Sequence, residues 1–295
     1  MEKRSFYNRF INEYLGKAYA TICGIFIIVC TLAVIFFIAS NGIKTFTQNH
    51  YSIADFLFSS KWDIDDKKYG SLVYIAGSTF VSIGAVIIAT PLAVCLAVFM
   101  NMISPRFGER ILQPAMELFV GIPSVVYGWI GLTVLIPNIK KVFGGYGFGL
   151  LAGILVLSVM ILPTITSVSS DAIKTIPKDY LEASYGLGAT RWQTIKKVII
   201  PASLTGISTG VVLGMSRAFG EALAVQMVIG NTVQIPKGLL SATSTLTSAI
   251  TMDMGNTADG DPLKNVLWSM AFLLLIVSFL FILIIRFISK RREIR

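Results

Sequence analysis

Histidine is almost missing: His50 is the only one among 295 residues. That argues against histidine-rich metal centres and against a Ser/His/Asp catalytic arrangement. Charge is scarce as well, at 14% of residues against roughly 25% in an average soluble domain, too little polar surface to cover a globule in water. Together these shortages argue against a soluble enzyme. Disorder is excluded, because its signature is low hydrophobicity. Cysteine numbers three, too few to staple a fold. Cys23 and Cys30 share one apolar run, seven residues or about 10 Å apart along a helix, beyond disulfide reach. They read as buried thiols. No phosphate-binding loop is present either, since the single Gly-Lys pair, Gly16-Lys17, continues to Ala18 and lacks the upstream glycine.

What the chain has is hydrocarbon: 54% hydrophobic residues and a mean hydropathy of +0.73. Six stretches are long and charge-poor enough to cross about 30 Å of bilayer. They run from Ala18 to Ser40, Ser71 to Ile103, Ile111 to Pro137, Gly149 to Ser170, Leu204 to Gly230 and Asn265 to Ile285. The first is longer than the roughly 7 to 15 residues of a signal-peptide core, so it reads as a membrane anchor. The expected fold is an all-α polytopic bundle, with one membrane domain over 18–287 between tails 1–17 and 288–295. With the N-terminus inside, 16 of the 25 Lys and Arg fall on the cytoplasmic side and eight outside, leaving Arg217 within a span. Both termini are therefore placed in the cytoplasm and the chain in a bacterial or archaeal cytoplasmic membrane. The inner-side acids leave a net +9 there, equal to the whole formal charge, so the basic balance calls for no nucleic acid. External loops span 41–70 and 231–262. Asp63, Asp65 and Asp66 in the first fit no calcium-loop spacing and read as solvated, so no metal site is expected. In the second, uncharged Leu239 to Met252 is expected as a short interfacial helix.

The cytoplasmic loop 171–203 carries the densest local signals. Pro177 suits a first helical turn, with Asp179 and Glu182 at its positive end and Gly186 or Gly188 to stop it. Thr190 with Gln193 then forms a capping box for a second helix running toward Val198, which Pro201 is expected to end. Two capped helices suit a docking surface better than a plain connection. Glu182-Ala183-Ser184, three residues, Gly188, nine residues and Val198-Ile199-Ile200-Pro201 resemble the EAA loop of ABC-importer permeases, in which Glu-Ala-Ala, Gly and Ile-x-Leu-Pro recur at these spacings. Ser184, Val198 and Ile200 depart from that pattern conservatively. The resemblance implies a type I importer permease whose Glu182, Ala183, Ser184, Gly188 and Pro201 belong to the element seated on an ATP-hydrolysing subunit. It implies that the ATP and Mg lie on that partner, and that this chain holds no cofactor.

Two ionisable residues lie deep in the fifth span. Arg217 sits about 20 Å along a helix from Leu204, where an ionised group costs roughly 2.5 to 3.5 kcal/mol and marks a partner and usually a function. Glu221, four residues on, would share its face and pair with it, though a purely structural pair is the alternative. The same helix repeats small residues at Ala202, Gly206, Gly210, Gly214, Ala218 and Ala222, a ridge for close helix packing. In the third span Pro123 breaks a backbone hydrogen bond within the bilayer. Around it, Glu117, Ser124 and Tyr127 are candidate pathway residues; Glu117 could equally snorkel toward Arg110.

Gly121-Ile-Pro-Ser-Val-Val-Tyr-Gly128, Ser216-Arg-Ala-Phe-Gly-Glu221, Met227-Val-Ile-Gly-Asn231 and Thr245-Leu-Thr-Ser248 look like the permeases of the phosphate-specific transport (Pst) system. Val-Ile-Gly-Asn with Pro236 and Thr-Leu-Thr-Ser favour its C-type subunit. The resemblance runs from about Trp62 through the sixth span. It implies a heterodimer with an A-type permease, two ATPase subunits, an external phosphate-binding protein and alternating access. On this reading Arg217 would hold the anion and Glu221 would pair with Arg217 in the empty site. A permease for another oxyanion, such as molybdate or sulfate, or a membrane scaffold sensing phosphate, is the alternative. An intramembrane enzyme would need clustered His/Asp/Glu or a nucleophile with its base, and only Glu117, Arg217 and Glu221 are at hand.

The charge asymmetry makes a topological prediction. Ser60→Cys is expected to react with an impermeant thiol reagent in intact cells, whereas a cysteine at Ser184 reacts only after permeabilisation. Labelling of the 171–203 loop from outside would overturn the orientation.

Overall fold

The computed structural model describes residues 16–293, with side chains up to Phe287. Most of the tail 1–17, with Lys3, Arg4 and Arg9 of the inner-side charge, lies outside them, as does Arg295; the tail 288–295 is seen only as helical backbone to Glu293. In chain order the elements are α1 (Gly16–Thr47), α2 (Ile53–Phe58), a hairpin of β1 (Trp62–Asp63) and β2 (Lys68–Tyr69), α3 (Leu72–Ile103), α4 (Pro105–Gly121), α5 (Ser124–Phe143), α6 (Leu150–Lys174), α7 (Lys178–Gly186), α8 (Arg191–Ala202), α9 (Leu204–Gly220), α10 (Leu223–Gln226), α11 (Leu246–Asp253) and α12 (Pro262–Glu293). Helices α1, α3, α6 and α12 are each long and apolar enough to cross a membrane. The other two expected spans are not straight. The third is α4 and α5, bent by 96° at Ile122-Pro123, and the fifth follows a 66° bend between α8 and α9 and stops as a helix at Gly220, not Gly230.

Prolines shape these helices through π turns. The described residues contain four, Phe99–Ile103, Gly108–Leu112, Gly131–Leu135 and Ile195–Ile199. Each ends two residues before a proline: Pro105, Pro114, Pro137 and Pro201. In an α-helix a proline leaves the carbonyl four residues back without a donor and crowds it. In each turn the residue just before the proline donates to the carbonyl five residues back, Ser104 to Phe99, Gln113 to Gly108, Ile136 to Gly131 and Ile200 to Ile195, so the register shifts by one residue ahead of the ring. Pro201 is therefore carried inside α8 rather than ending it, while Pro105 opens α4 after a break at Ser104.

The core is built where α3, α6 and α9 meet. Ala85, Ala89, Ala93 and Ala97 form a row of fully buried small residues along α3, a ridge not singled out from sequence. Its Ala85, Ala89 and Ala93 pack with Leu157, Met160, Ile161 and Ile165 of α6 in one buried cluster that also takes in Met215, Ala218 and Phe219 of α9. The glycine ridge of α9 faces α6. A Cβ built on Gly206 would stand 2.2 Å from the Ala172 Cβ, one on Gly210 3.2 Å from the Ile165 carbonyl oxygen, and one on Gly214 2.6 Å from the Ile165 side chain. Helix α1 by contrast touches its own chain chiefly near its outer end. Gly42 and Thr45 meet Ser269 of α12, whose hydroxyl donates to the Gly42 carbonyl oxygen at 2.5 Å, and the rings of Phe37 and Trp268 meet edge to face.

Other expectations need revision. Cys30 and Cys95 are exposed and Cys23 half-buried, so their apolar surroundings are not the interior of the chain. The acidic group belongs to the β1–β2 turn: an Asp63 carboxylate oxygen accepts the N–H groups of Asp65 and Asp66 at 3.0 and 3.1 Å. The segment expected as an interfacial helix folds inward. Leu239 and Ser241 offer carbonyls to the free N–H groups of Leu151 and Leu150 at the start of α6. Residues 243–249 are then buried, with the Leu246 N–H on the Ser78 hydroxyl of α3 at 2.9 Å.

The two classes of glycine should separate on mutation. Gly206→Ala and Gly214→Ala force α9 from α6 and are expected to destabilise the chain by about 1 to 3 kcal/mol, whereas Gly220→Ala, with nothing within 4 Å of its added carbon, leaves the packing intact. Thermal unfolding in detergent checks this, and equal melting temperatures for all three would contradict the packing role.

Candidate functional site

The 171–203 loop is a helical hairpin closed by two kinds of cap. At the end of α7, Gly188 has φ +79°, the Gly188 N–H donates to the Tyr185 carbonyl at 2.9 Å, and the Ala189 N–H to the Ser184 carbonyl at 3.2 Å. That is a Schellman arrangement, which favours glycine at its left-handed residue. Next, the Thr190 hydroxyl accepts the Gln193 N–H while the Gln193 side chain accepts the Thr190 N–H, a complete capping box. Ser184 is buried and hydrogen-bonded to Thr194 at 2.9 Å, pinning α7 to α8. It faces inward, so cytoplasmic labelling is better read at Leu187, which is 89% exposed. Ile195 and Ile199 set the hairpin on Ala97, Val98 and Ile173, and the Arg191 guanidinium donates to the Ile103 carbonyl. Its outer surface carries exposed Glu182, Ala183, Gly188 and Pro201 together with exposed Tyr180, Tyr185, Leu187 and Trp192. No atom lies within 4 Å of where a Gly188 side chain would begin.

Within the membrane part, the structure separates Arg217 from Glu221. Helix α9 ends at Gly220, and Glu221 turns to extended backbone at φ −75° and ψ 129°. The two therefore do not share a helical face, and no ion pair joins them. Arg217, half-buried, donates from Nη1 to the Thr164 hydroxyl of α6 at 3.0 Å. The Glu221 carboxylate instead accepts the Ala224 N–H at 3.1 Å, serving the start of α10. Its carbonyl accepts the Thr247 hydroxyl at 2.8 Å, and the Thr251 hydroxyl, one turn further along α11, donates to the Gln226 amide oxygen at 2.9 Å. Thr164, Thr247, Gln226 and Thr251 were not readable as site residues, because uncharged polar residues recur throughout such helices.

At the other break, Pro123 lacks the N–H that would serve the Phe119 carbonyl. The Tyr127 hydroxyl donates to that oxygen at 2.7 Å, and Tyr127 is buried. Ser124 begins α5, half-buried and with no side-chain hydrogen bond. Exposed Glu117 takes a long hydrogen bond of 3.4 Å from Gln113, which accepts from Lys174 at 2.9 Å; it does not reach Arg110. The described residues contain no group of three or more His, Cys, Asp or Glu able to hold a metal.

Comparison with known proteins adds three kinds of likeness. The family described as "Binding-protein-dependent transport system inner membrane component" matches residues 89–294. The chain is 51% identical over 290 residues, 97% of its length and 94% of the relative's, to the probable ABC transporter permease protein YqgH of Bacillus subtilis. It is 35% identical to the phosphate transport system permease protein PstC of Mesorhizobium japonicum, over 81% of this chain and 79% of that one. Among solved structures, a bacterial alginate ABC transporter in complex with its alginate-bound periplasmic protein matches in fold, with TM-score 0.64, 14% identity and 97% of both chains covered.

The two breaks predict different sensitivities. Tyr127→Phe strands the Phe119 carbonyl and is expected to cost about 1 to 3 kcal/mol. Glu221→Gln keeps the acceptor and costs little, whereas Glu221→Ala removes the cap and costs about 1 kcal/mol. Melting temperatures of the purified variants rank them. Tyr127→Phe as stable as the parent would remove the strut.

Proposed function

Because the chain belongs to the family of binding-protein-dependent transport system inner membrane components, and is a multi-pass permease subunit of an ABC transporter in the cytoplasmic membrane, we propose that it is the C-type permease of a phosphate importer. The observation that carries the substrate reading is the state of Arg217. Its guanidinium donates to a neutral hydroxyl, that of Thr164, and among the described residues no carboxylate forms an ion pair with it. A hydrogen bond to a charged group contributes roughly 1.5 to 3 kcal/mol, at most about what the guanidinium loses on leaving water for the bilayer centre. Most of its planar fork stays open to a multivalent oxyanion, which it can hold through two oxygens. The phosphate-named relatives support the choice of anion.

The remaining parts follow from the hairpin and the exposed faces. The outer surface of α7, with Glu182, Ala183, Gly188 and the apolar Tyr185 and Leu187, seats on one of two ATPase subunits, which hold ATP and Mg. A permease of the A type completes the pathway, along the exposed faces of α4, α5 and α9 that carry Leu118, Val125 and Leu213. An external binding protein delivers phosphate, which passes between the two permeases by alternating access as ATP closes the ATPase dimer. Glu221 has a positioning role here: it holds the broken end of α9 to α10 and α11 and does not neutralise Arg217.

Uptake of labelled phosphate by vesicles carrying the assembled complex tests this reading. Arg217→Lys is expected to lose at least ten-fold in uptake with assembly and basal ATP hydrolysis retained, because an ammonium cannot reproduce the fork. Near-normal uptake by Arg217→Lys would remove the residue from the pathway. Sulfate or molybdate transported in preference to phosphate would favour the other oxyanion reading, and full uptake by a complex lacking the chain would make it a scaffold.

A further inference from the structure

Helices α3, α5 and α6 leave an apolar groove of about 460 Å³ between them, within the usual size of a ligand site. Leu92, Ile130, Val134 and Val159 line it, each more than half exposed, so the groove opens outward from the chain and not into its core. The polar side chains in its wall are already engaged with backbone. The Tyr127 hydroxyl donates to Phe119, the Ser158 hydroxyl to Ile154, and the Asn138 amide to Val134. What remains is a hydrocarbon surface.

Its position and its rim identify the occupant. The α6 residues that line it, Leu155 to Leu162, stand about 8 to 18 Å below the external start of that helix at 1.5 Å per residue, from the outer half of the bilayer to its midplane. The groove-lining face of α5 runs outward through Val134 to Asn138. Lys141 lies three residues further on that face, with Lys140 beside it. Both lysines are exposed and neither makes an ion pair, while Phe143 and Tyr146, beyond them, are exposed aromatics of the kind found at the membrane–water interface. A slot for one hydrocarbon chain, closed at headgroup level by two free ammonium groups, is complementary to a lipid with net negative charge.

We propose that this groove is a specific outer-leaflet site for an anionic glycerophospholipid, with one acyl chain between α3, α5 and α6 and the headgroup phosphate on Lys140 and Lys141. The inference needs the chain in a bilayer with α5 rising to the outer side, and is independent of the transported substrate. Each lysine near a headgroup contributes about 1 kcal/mol, so net charge alone gives roughly a 30-fold preference for phosphatidylglycerol over phosphatidylcholine.

Native mass spectrometry and thermal unfolding of the full-length chain, purified with the subunits it carries and depleted of lipid, test the site. Three probes are compared: phosphatidylglycerol, phosphatidylcholine and glycerol 3-phosphate. Phosphatidylglycerol is expected to remain bound and raise the melting temperature, phosphatidylcholine to bind at least ten-fold more weakly, and glycerol 3-phosphate to do neither. Lys140→Gln with Lys141→Gln, both on the surface, should reduce phosphatidylglycerol to the level of phosphatidylcholine. Val134→Trp, which fills the slot, should weaken both lipids at least ten-fold. Equal binding of the two lipids by the parent, or a shift reproduced by glycerol 3-phosphate alone, would overturn the proposal. So would crosslinking of Val159→Cys in native membranes to another polypeptide instead of a lipid-borne photoprobe, which would make the groove a seat for a protein helix.

Discussion

Hydrocarbon gives a backbone amide nothing to bond to, so every interruption of a helix inside a bilayer must supply its own partners. Two interruptions within the spans, at Pro123 and after Gly220, are closed by side chains. At Pro123 the donor missing from the backbone is replaced by the Tyr127 hydroxyl. Beyond Gly220 the Glu221 carboxylate takes a free N–H of α10, and Thr247 covers the Glu221 carbonyl. The π turns before Pro114, Pro137 and Pro201 change the helix register just ahead of each ring. Broken spans are thus made compatible with the membrane by side chains that take up freed backbone groups, from one turn away at Pro123 and partly from α11 beyond Gly220.

The break after Gly220 also sets the electrostatics. Had α9 continued, Glu221 would stand one turn from Arg217 and the pair would neutralise itself. Ending the helix redirects the carboxylate to a backbone N–H and leaves the guanidinium with Thr164. A cation without a counter-ion inside a bundle is unfavourable unless a ligand completes it, which is the ground for proposing an anion there. The carboxylate is then valuable for what it holds in place, since α10 and α11 are tied to α9 through it.

Much of this was legible because it is written in local patterns. Charge-free length marks the spans, Thr190 with Gln193 and a glycine at 188 mark the two caps, and the fourth-position glycines of α9 mark a close contact. The face-sharing of Arg217 and Glu221 was misread because a four-residue spacing implies one face only if the helix continues, and nothing in Phe219-Gly220-Glu221 announces its end. The thiols of Cys23 and Cys30, one half-buried and the other exposed, were misplaced because apolar neighbours look the same whether they come from the protein or from lipid. Leu239 to Met252 was read as lying at the interface because an uncharged, hydroxyl-rich stretch gives no sign of what it packs against. Its burial depends on carbonyls offered to a helix start nearly a hundred residues earlier. Long-range pairing of that kind has no local signature.

The attachment of α1 to α12 near Ser269 carries a consequence for how the protein is made. Gly42 and Ser269 are 227 residues apart in sequence, and synthesis proceeds at roughly 5 to 20 residues per second, so about 10 to 45 s separate the appearance of the two. During that interval the first span sits in the membrane with almost none of its contacts within the chain, while α3, α6 and α9 can already pack behind it. Its hydrophobicity alone must retain it. Helix α12 then fastens α1 to the bundle, and a ribosome stalled before α12 would leave a bundle whose core is assembled but whose first helix is still free to drift or to be captured by a neighbour.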